Sequence, residues 1–129
     1  MWNTESRITD AELEVMQALW AGRQPMTLAQ LKDALTKAKG WKGDTTKTLL
    51  RRLCQKGAVS QEKREVFYYA PLVSRESMSQ YRTQTLIDRL YAGSAKAMVA
   101  SLVEHDQLKT QDVEELHTLF QSLWEKKGE

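Results

Sequence analysis

Apolar positions along this chain recur first at helical spacing, then briefly at strand spacing, then at helical spacing again. Leu13, Met16, Leu19 and Trp20 mark one face of a first helix that reaches about Gly22. Thr9-Asp10-Ala11-Glu12 ahead of them forms a capping box, in which hydroxyl and carboxylate each take up an N–H the helix leaves open. Ile8 and Leu13 flank it as a hydrophobic staple, and Pro25 punctuates the turn that follows. The device repeats at Thr27-Leu28-Ala29-Gln30, with Met26 and Leu31 as staple and Leu28, Leu31, Leu35 and Ala38 as the apolar stripe. Lys39-Gly40-Trp41-Lys42-Gly43 breaks that second helix. A third is predicted from an Asp44 N-cap to Lys56, with Gly57 just beyond its end and Thr46, Leu49, Leu50 and Leu53 facing inward.

Strand signals then appear once. Ala58-Val59-Ser60-Gln61 and Val66-Phe67-Tyr68-Tyr69-Ala70 read as two short strands joined by Glu62-Lys63-Arg64-Glu65, with Pro71 closing the second. A lone hairpin is marginal in water, so it must pack on the helices. From Val73 onward the pattern is helical only. Ser74 caps a helix stapled by Val73 and Met78 and continuing through Tyr81, Leu86, Ile87, Leu90 and Tyr91; Gly93-Ser94 interrupts it. Ala95, Met98, Val99, Leu102 and Val103 stripe a further helix, and Val113, Leu116, Phe120, Leu123 and Trp124 stripe a last one beginning near Thr110. The fold class is therefore mainly α with a small β-hairpin. Residues 1–75 form an N-terminal winged helix-turn-helix and residues 76–129 a C-terminal three-helix dimerisation region. Three short striped helices bury their faces poorly alone, and an identical partner is the economical remedy.

Charge changes the picture only when it is divided. The whole chain carries a formal net charge of +2, which argues little for a polyanionic partner. Residues 1–75 hold 13 basic and 8 acidic side chains, however, and residues 76–129 hold 6 and 9. Between Lys37 and Arg64 there are 9 basic residues against Asp44 and Glu62 alone. One half is suited to a polyanion and the other to protein. No run approaches the roughly 20 apolar residues of a membrane span, and Met1-Trp2-Asn3-Thr4 lacks the order of a signal peptide, so a cytoplasmic location is expected. A single cysteine, Cys54, excludes an intrachain disulfide.

The chemistry sits on the third helix. Thr45, Thr48 and Arg52 lie opposite its core face, with Lys47 and Arg51 beside them; these types supply donors and methyl groups for base edges and phosphates. Lys63 and Arg64 at the hairpin tip would hold the DNA backbone, and Trp41 is an anchor placed to touch it too. The plainer reading of Arg51 and Arg52 is a solvated helix face. Cys54 is read as a small buried filler, with a thiolate favoured by Arg51 and Arg52 as the alternative. His105 and His117 have no spacing that makes a metal site, and Trp2, Trp20 and Trp124 are packing anchors. No phosphate loop, paired carboxylates or nucleophile–histidine pair supports an enzyme, and no cofactor or small-molecule substrate is expected. A winged helix that docks protein without DNA specificity is the rival class.

These residues resemble the penicillinase-repressor (BlaI/MecI/CopY) family. The carriers are Ile8 to Met16 with Leu19-Trp20, then Trp41, Thr45, Thr48-Leu49-Leu50, Arg52-Leu53, Lys56-Gly57-Ala58 and Tyr69 to Ser74. The resemblance is looser through Leu90-Tyr91-Ala92-Gly93-Ser94, Met98-Val99 and Gln107-Leu108. It implies a homodimeric transcriptional repressor of the kind tied to beta-lactam resistance, binding double-stranded DNA operators with inverted repeats of TACA/TGTA type. The dimer interface would draw on Met78, Tyr81, Leu86, Leu90, Tyr91, Met98, Leu102, Leu116 and Phe120. In the beta-lactam branch the resemblance implies relief by proteolysis, triggered by a membrane-bound sensor metalloprotease. A copper-responsive repressor is the alternative within the family, but that branch uses C-terminal CxC thiolates, and this chain ends without cysteine. Where staphylococcal-type members are cut between Asn and Phe, this chain has Ala100 and Ser101, and Asp44 stands at a position often held by Lys.

Overall fold

The computed structural model describes residues 7–128, and the chain divides into two compact units, Met1–Arg82 and Thr83–Glu129. Trp2 and the rest of the first six positions lie outside the described residues. In the first unit, α1 spans Asp10–Gly22 and its capping box forms as expected: Thr9 Oγ1 accepts from the Glu12 N–H at 3.1 Å, and Glu12 Oε1 accepts from the Thr9 N–H at 2.9 Å. The buried face differs from the expected stripe. It runs through Glu12, Val15, Met16 and Leu19, while Leu13 and Trp20 are half-buried. Glu12 is held on this face through its Oε1, while its Oε2 is buried without a hydrogen-bond partner among the described residues.

The helix α2, Leu28–Lys39, has the second capping box, with Gln30 and Thr27 exchanging bonds of 2.9 and 3.2 Å. It ends at Gly40, which adopts φ 70°, a left-handed conformation that costs glycine nothing. The next helix, α3, spans Gly43–Gln55. Its N-cap is Lys42, extended at φ −74° and ψ 151°, so the expected Asp44 N-cap is corrected. Asp44 sits instead inside the first turn, where its charge complements the helix dipole without a capping bond. The far end is as expected and closes as a Schellman motif. The Gly57 N–H reaches the Cys54 carbonyl at 3.1 Å and the Ala58 N–H the Leu53 carbonyl at 3.0 Å, which turns the chain into the hairpin.

That hairpin, β2 (Val59–Lys63) and β3 (Phe67–Pro71), is antiparallel and longer on its first strand than the pattern suggested. The tip is therefore Arg64-Glu65-Val66, closed by a 3.0 Å bond from the Arg64 N–H to the Val66 carbonyl. A strand the pattern did not announce, β1 (Met26–Thr27), pairs with β3 on its other edge, Met26 opposite Tyr69. The sheet order is β1-β3-β2. Helix, strand, two helices and a hairpin laid on them is the winged-helix arrangement. Leu31, Leu35, Leu49, Leu50, Leu53 and Val59 fill its core with the buried face of α1.

One ion pair lies inside this core. Glu12 is fully buried, and Lys56, the C-cap of α3, meets its Oε1 at 2.6 Å while also bonding the Arg7 carbonyl. Burial alone would raise the Glu12 pKa, but the bonds from Lys56 and from Thr9 outweigh it and hold the carboxyl below its ordinary value.

The helix α4, Arg75–Leu90, begins in the first unit, with Ser74 Oγ accepting from the Ser77 N–H at 3.0 Å. Val73 and Met78 staple it into the winged-helix core. Met78, expected at a dimer interface, is only 1% exposed there, and this corrects its assignment. In the second unit a break at Ala92-Gly93, both at positive φ, precedes α5 (Ala95–Glu104), whose N-cap Ser94 accepts from the Ala97 N–H at 3.0 Å. The last helix, α6, spans Thr110–Lys127. Neither α5 nor α6 has a buried residue. Among the described residues no helix is long and apolar enough to cross a membrane.

Two outcomes follow from the buried pair. Glu12→Ala should lower the unfolding free energy by about 2–4 kcal/mol, through loss of both the cap and the partner of Lys56, as measured by urea denaturation. Because the folded pKa of Glu12 is depressed, its contribution is complete above the unfolded carboxylate value of about 4.3 and is lost as pH falls through the lower folded value. Between pH 7 and pH 3, Glu12→Gln should therefore lose less stability than the wild type.

Candidate nucleic-acid interface

The apolar stripe of α3 decides what its other face can present. Thr46, Leu49, Leu50 and Leu53 are buried, so Asp44, Thr45, Lys47, Arg51 and Arg52 project outward, with Thr48 half-buried between the two faces. The helix spacing sorts these residues into two patches. Thr45, Thr48 and Arg52 line one shallow depression together with Asp44 and Leu49. Lys47 and Arg51 line another, on the side of the sheet, with Leu28, Leu50, Cys54, Gln61 and Tyr69. Among the described residues no ion pair engages Lys47, Arg51 or Arg52. Three cations are thus held on one rigid helix without an acidic partner to neutralise them, which suits them to phosphates and base edges.

The hairpin carries the second cationic element. Lys63 lies 5.9 Å from the centre of the Phe67 ring, and the Arg64 guanidinium stacks 4.8 Å from that of Tyr68. Arg64 Nε also approaches Glu62 Oε1 at 3.4 Å, a long and exposed contact that leaves most of its donors open. These rings stiffen two otherwise flexible side chains at the wing tip. Trp41 is half-buried against the core rather than free, and its carbonyl accepts from Thr36 Oγ1 at 2.7 Å.

Gln61 and Tyr69 are brought to this surface without having been picked out from the sequence. They face each other across β2 and β3, with Gln61 Nε2 donating to the Tyr69 hydroxyl at 3.2 Å, and they close the Lys47–Arg51 depression. Strand register would have shown the pair, but register is not visible in one strand's pattern. Asp44 also enters the site as the acidic neighbour of Arg52 in the first depression.

The remaining candidates separate from the site. Cys54 is half-buried beside Arg51, and burial pushes its thiol pKa up, so the thiolate alternative is corrected. His105 Nδ1 lies 2.8 Å from the Ser101 carbonyl at the end of α5. His117 lines an apolar groove of the second unit with Val99, Val103, Leu108, Leu116 and Phe120. Among the described residues no group of His, Cys, Asp and Glu is placed to hold a metal ion.

The chain is similar to known proteins in sequence and to a solved structure over part of its length. The chain is 32% identical over 124 residues to the penicillinase repressor of Bacillus licheniformis, covering 95% of this chain and 96% of the relative. It is 28% identical over 121 residues to the methicillin resistance regulatory protein MecI of Staphylococcus aureus, covering 93% and 98%. Among solved structures, the monomeric form of Bacillus licheniformis BlaI in complex with the blaP half-operator matches with 35% identity and a TM-score of 0.49, over 55% of this chain and 87% of that one. The family model described as penicillinase repressor runs across both units, from residue 8 to residue 122, and this chain belongs to that family.

Proposed function

We propose that this protein is a sequence-specific DNA-binding transcriptional repressor that occupies inverted-repeat operators as a homodimer in the cytoplasm. The observation that carries the reading is the exposed face of α3. Thr45, Thr48 and Arg52 form a groove-reading row, and Lys47 and Arg51 stand beside it with no acidic partner among the described residues. A helix carrying such a row fits the major groove, and Lys63 and Arg64 on the wing lie where an adjacent strand's phosphates would run. Membership of a repressor family supports the regulatory role and argues against catalysis. The copper-responsive alternative is disfavoured because the only cysteine is Cys54, half-buried on α3.

The second unit supports dimerisation. Leu86, Leu90, Leu102 and Phe120 are all exposed, Leu90 at 69%, and Trp124 reaches 80%. Tyr91, Met98 and Leu116 are half-buried beside or between them in sequence, and Tyr81, also half-buried, belongs to the last turn of the first unit. Apolar surface on this scale is stable in water only when covered, and a second copy offers an equal and self-complementary surface. Relief of repression through a membrane-bound sensor metalloprotease belongs to the same reading. Ala100 and Ser101 are half-buried within α5, so cleavage between them would need that helix to open first.

Selection from random duplexes, followed by fluorescence anisotropy, tests the DNA reading. Arg52→Ala should cost about 1–3 kcal/mol and relax specificity at one base position, whereas Lys63→Ala should weaken all sequences about equally and reduce the salt slope by about 1. If the wild type binds no duplex at low salt, the protein-docking alternative replaces this one. Sedimentation should show a dimer at micromolar concentration, with Leu90→Lys combined with Phe120→Lys converting it to a folded monomer. A monomeric wild type would remove the dimer from the proposal.

A further inference from the structure

One carboxylate stands among the cations of α3. Asp44 is the second residue of the helix, exposed in its first turn, and it lines the depression that holds Thr45, Thr48 and Arg52. No bond of the fold accounts for it. The N-cap is Lys42, and among the described residues no ion pair engages Asp44. Lys32 packs the end of its side chain over Gly43, one residue away, and forms no ion pair with Asp44 either. Both carboxylate oxygens are thus left to whatever meets this end of α3. In a helix-turn-helix the N-terminal residues of the recognition helix are those that reach base edges.

We propose that Asp44 is a specificity-determining residue of the DNA site: it accepts from the amino group of a cytosine and rejects the other bases at that position. The inference deepens the DNA-binding reading above and rests on it. An ionised carboxylate accepts hydrogen bonds and donates none. On the major-groove edge guanine offers N7 and O6 and thymine offers O4, all acceptors, whereas cytosine and adenine each present an amino donor. Adenine sets its N7 acceptor beside that donor, where it opposes a carboxylate; cytosine has no acceptor on this edge. The threonine hydroxyls of the depression both donate and accept, so they tolerate several bases. Discrimination therefore falls on its two charged members, Arg52, which only donates, and Asp44, which only accepts. They are eight residues apart, about 12 Å along the helix. Successive base pairs are about 3.4 Å apart, so the cytosine lies about three or four pairs from the base that Arg52 reads. The dipole at the start of α3 favours a carboxylate there, so the charge costs the fold little while it repels acceptor edges.

The test is selection from random duplexes with the full-length protein, run in parallel for the wild type, Asp44→Ala, Asp44→Asn and Arg52→Ala. Fluorescence anisotropy on the selected duplex and its single-base variants then gives the affinities. The wild type should prefer cytosine over guanine or thymine by about fivefold or more at one position. Asp44→Ala should lose that preference there alone, keep the preference that Arg52→Ala loses, and bind the guanine and thymine duplexes more tightly than the wild type does. Asp44→Asn, close in shape and able both to donate and to accept, gives a second variant should the first unfold, and it should shift the preference toward adenine. A cytosine preference that survives in Asp44→Ala and Asp44→Asn overturns the proposal, as does a wild type with no such preference. Variants that weaken every duplex by one common factor overturn it as well, because loss of the dipole complement alone would do that. A wild type that binds no duplex overturns the DNA-binding reading instead, so the two failures are distinct.

Discussion

A carboxylate buried in an apolar core must be met by positive charge and hydrogen bonds, and Glu12 imposes that condition on the winged helix. Its Oε1 is shared between the Thr9 N–H at 2.9 Å and Lys56 Nζ at 2.6 Å. Thr9 opens α1 and Lys56 closes α3, so one side chain joins the first turn of one helix to the last turn of another. Leaving either partner unmatched would strand a charge in low dielectric. The position of α3's end is therefore set, and immediately beyond it the Gly57–Ala58 turn delivers the chain into β2. Helix α3 and the hairpin hang from the same point.

That arrangement explains how the cations of α3 can stay unpaired. The core face of the helix is anchored by Leu49, Leu50 and Leu53 and its end by Lys56, so its outward charges are not needed for folding. The acidic residues of the first unit are largely engaged elsewhere: Glu12 with Lys56, Asp10 with Arg82, Glu14 with Lys39 and Asp33 with Lys37. Asp44 is the exception near the site, lining the same depression as Arg52. The near-neutral total of the chain thus averages a unit rich in available positive charge with a second unit whose acidic helices display apolar side chains.

Much of this was legible residue by residue. Both capping boxes, the stripe of α3, the hairpin and the Gly57 turn are local devices, each decided by neighbours within four or five positions. What escaped the pattern was long-range. Nothing in Met26-Thr27 marks a strand until Tyr69 and Tyr68 are alongside to pair with it. Glu12 read as a cap but not as a buried charge, because its partner lies 44 positions away. Met78 read as interface because an apolar residue on an amphipathic helix looks the same whether a core or a partner covers it. Asp44 read as an N-cap because its type favours that position, yet Lys42 already held the extended conformation the cap requires.

The sequence by itself determined the succession of helices and hairpin, both capping boxes, the family and the residue types on the outer face of α3, since these rest on short-range hydrogen bonding and periodicity. The tertiary structure alone decided which cations share a depression, that Gln61 and Tyr69 close one of them, and that the opening turns of α4 belong to the winged helix. Those are matters of which surfaces meet. Burial, pairing and orientation between residues far apart in the chain come into being only when the helices pack.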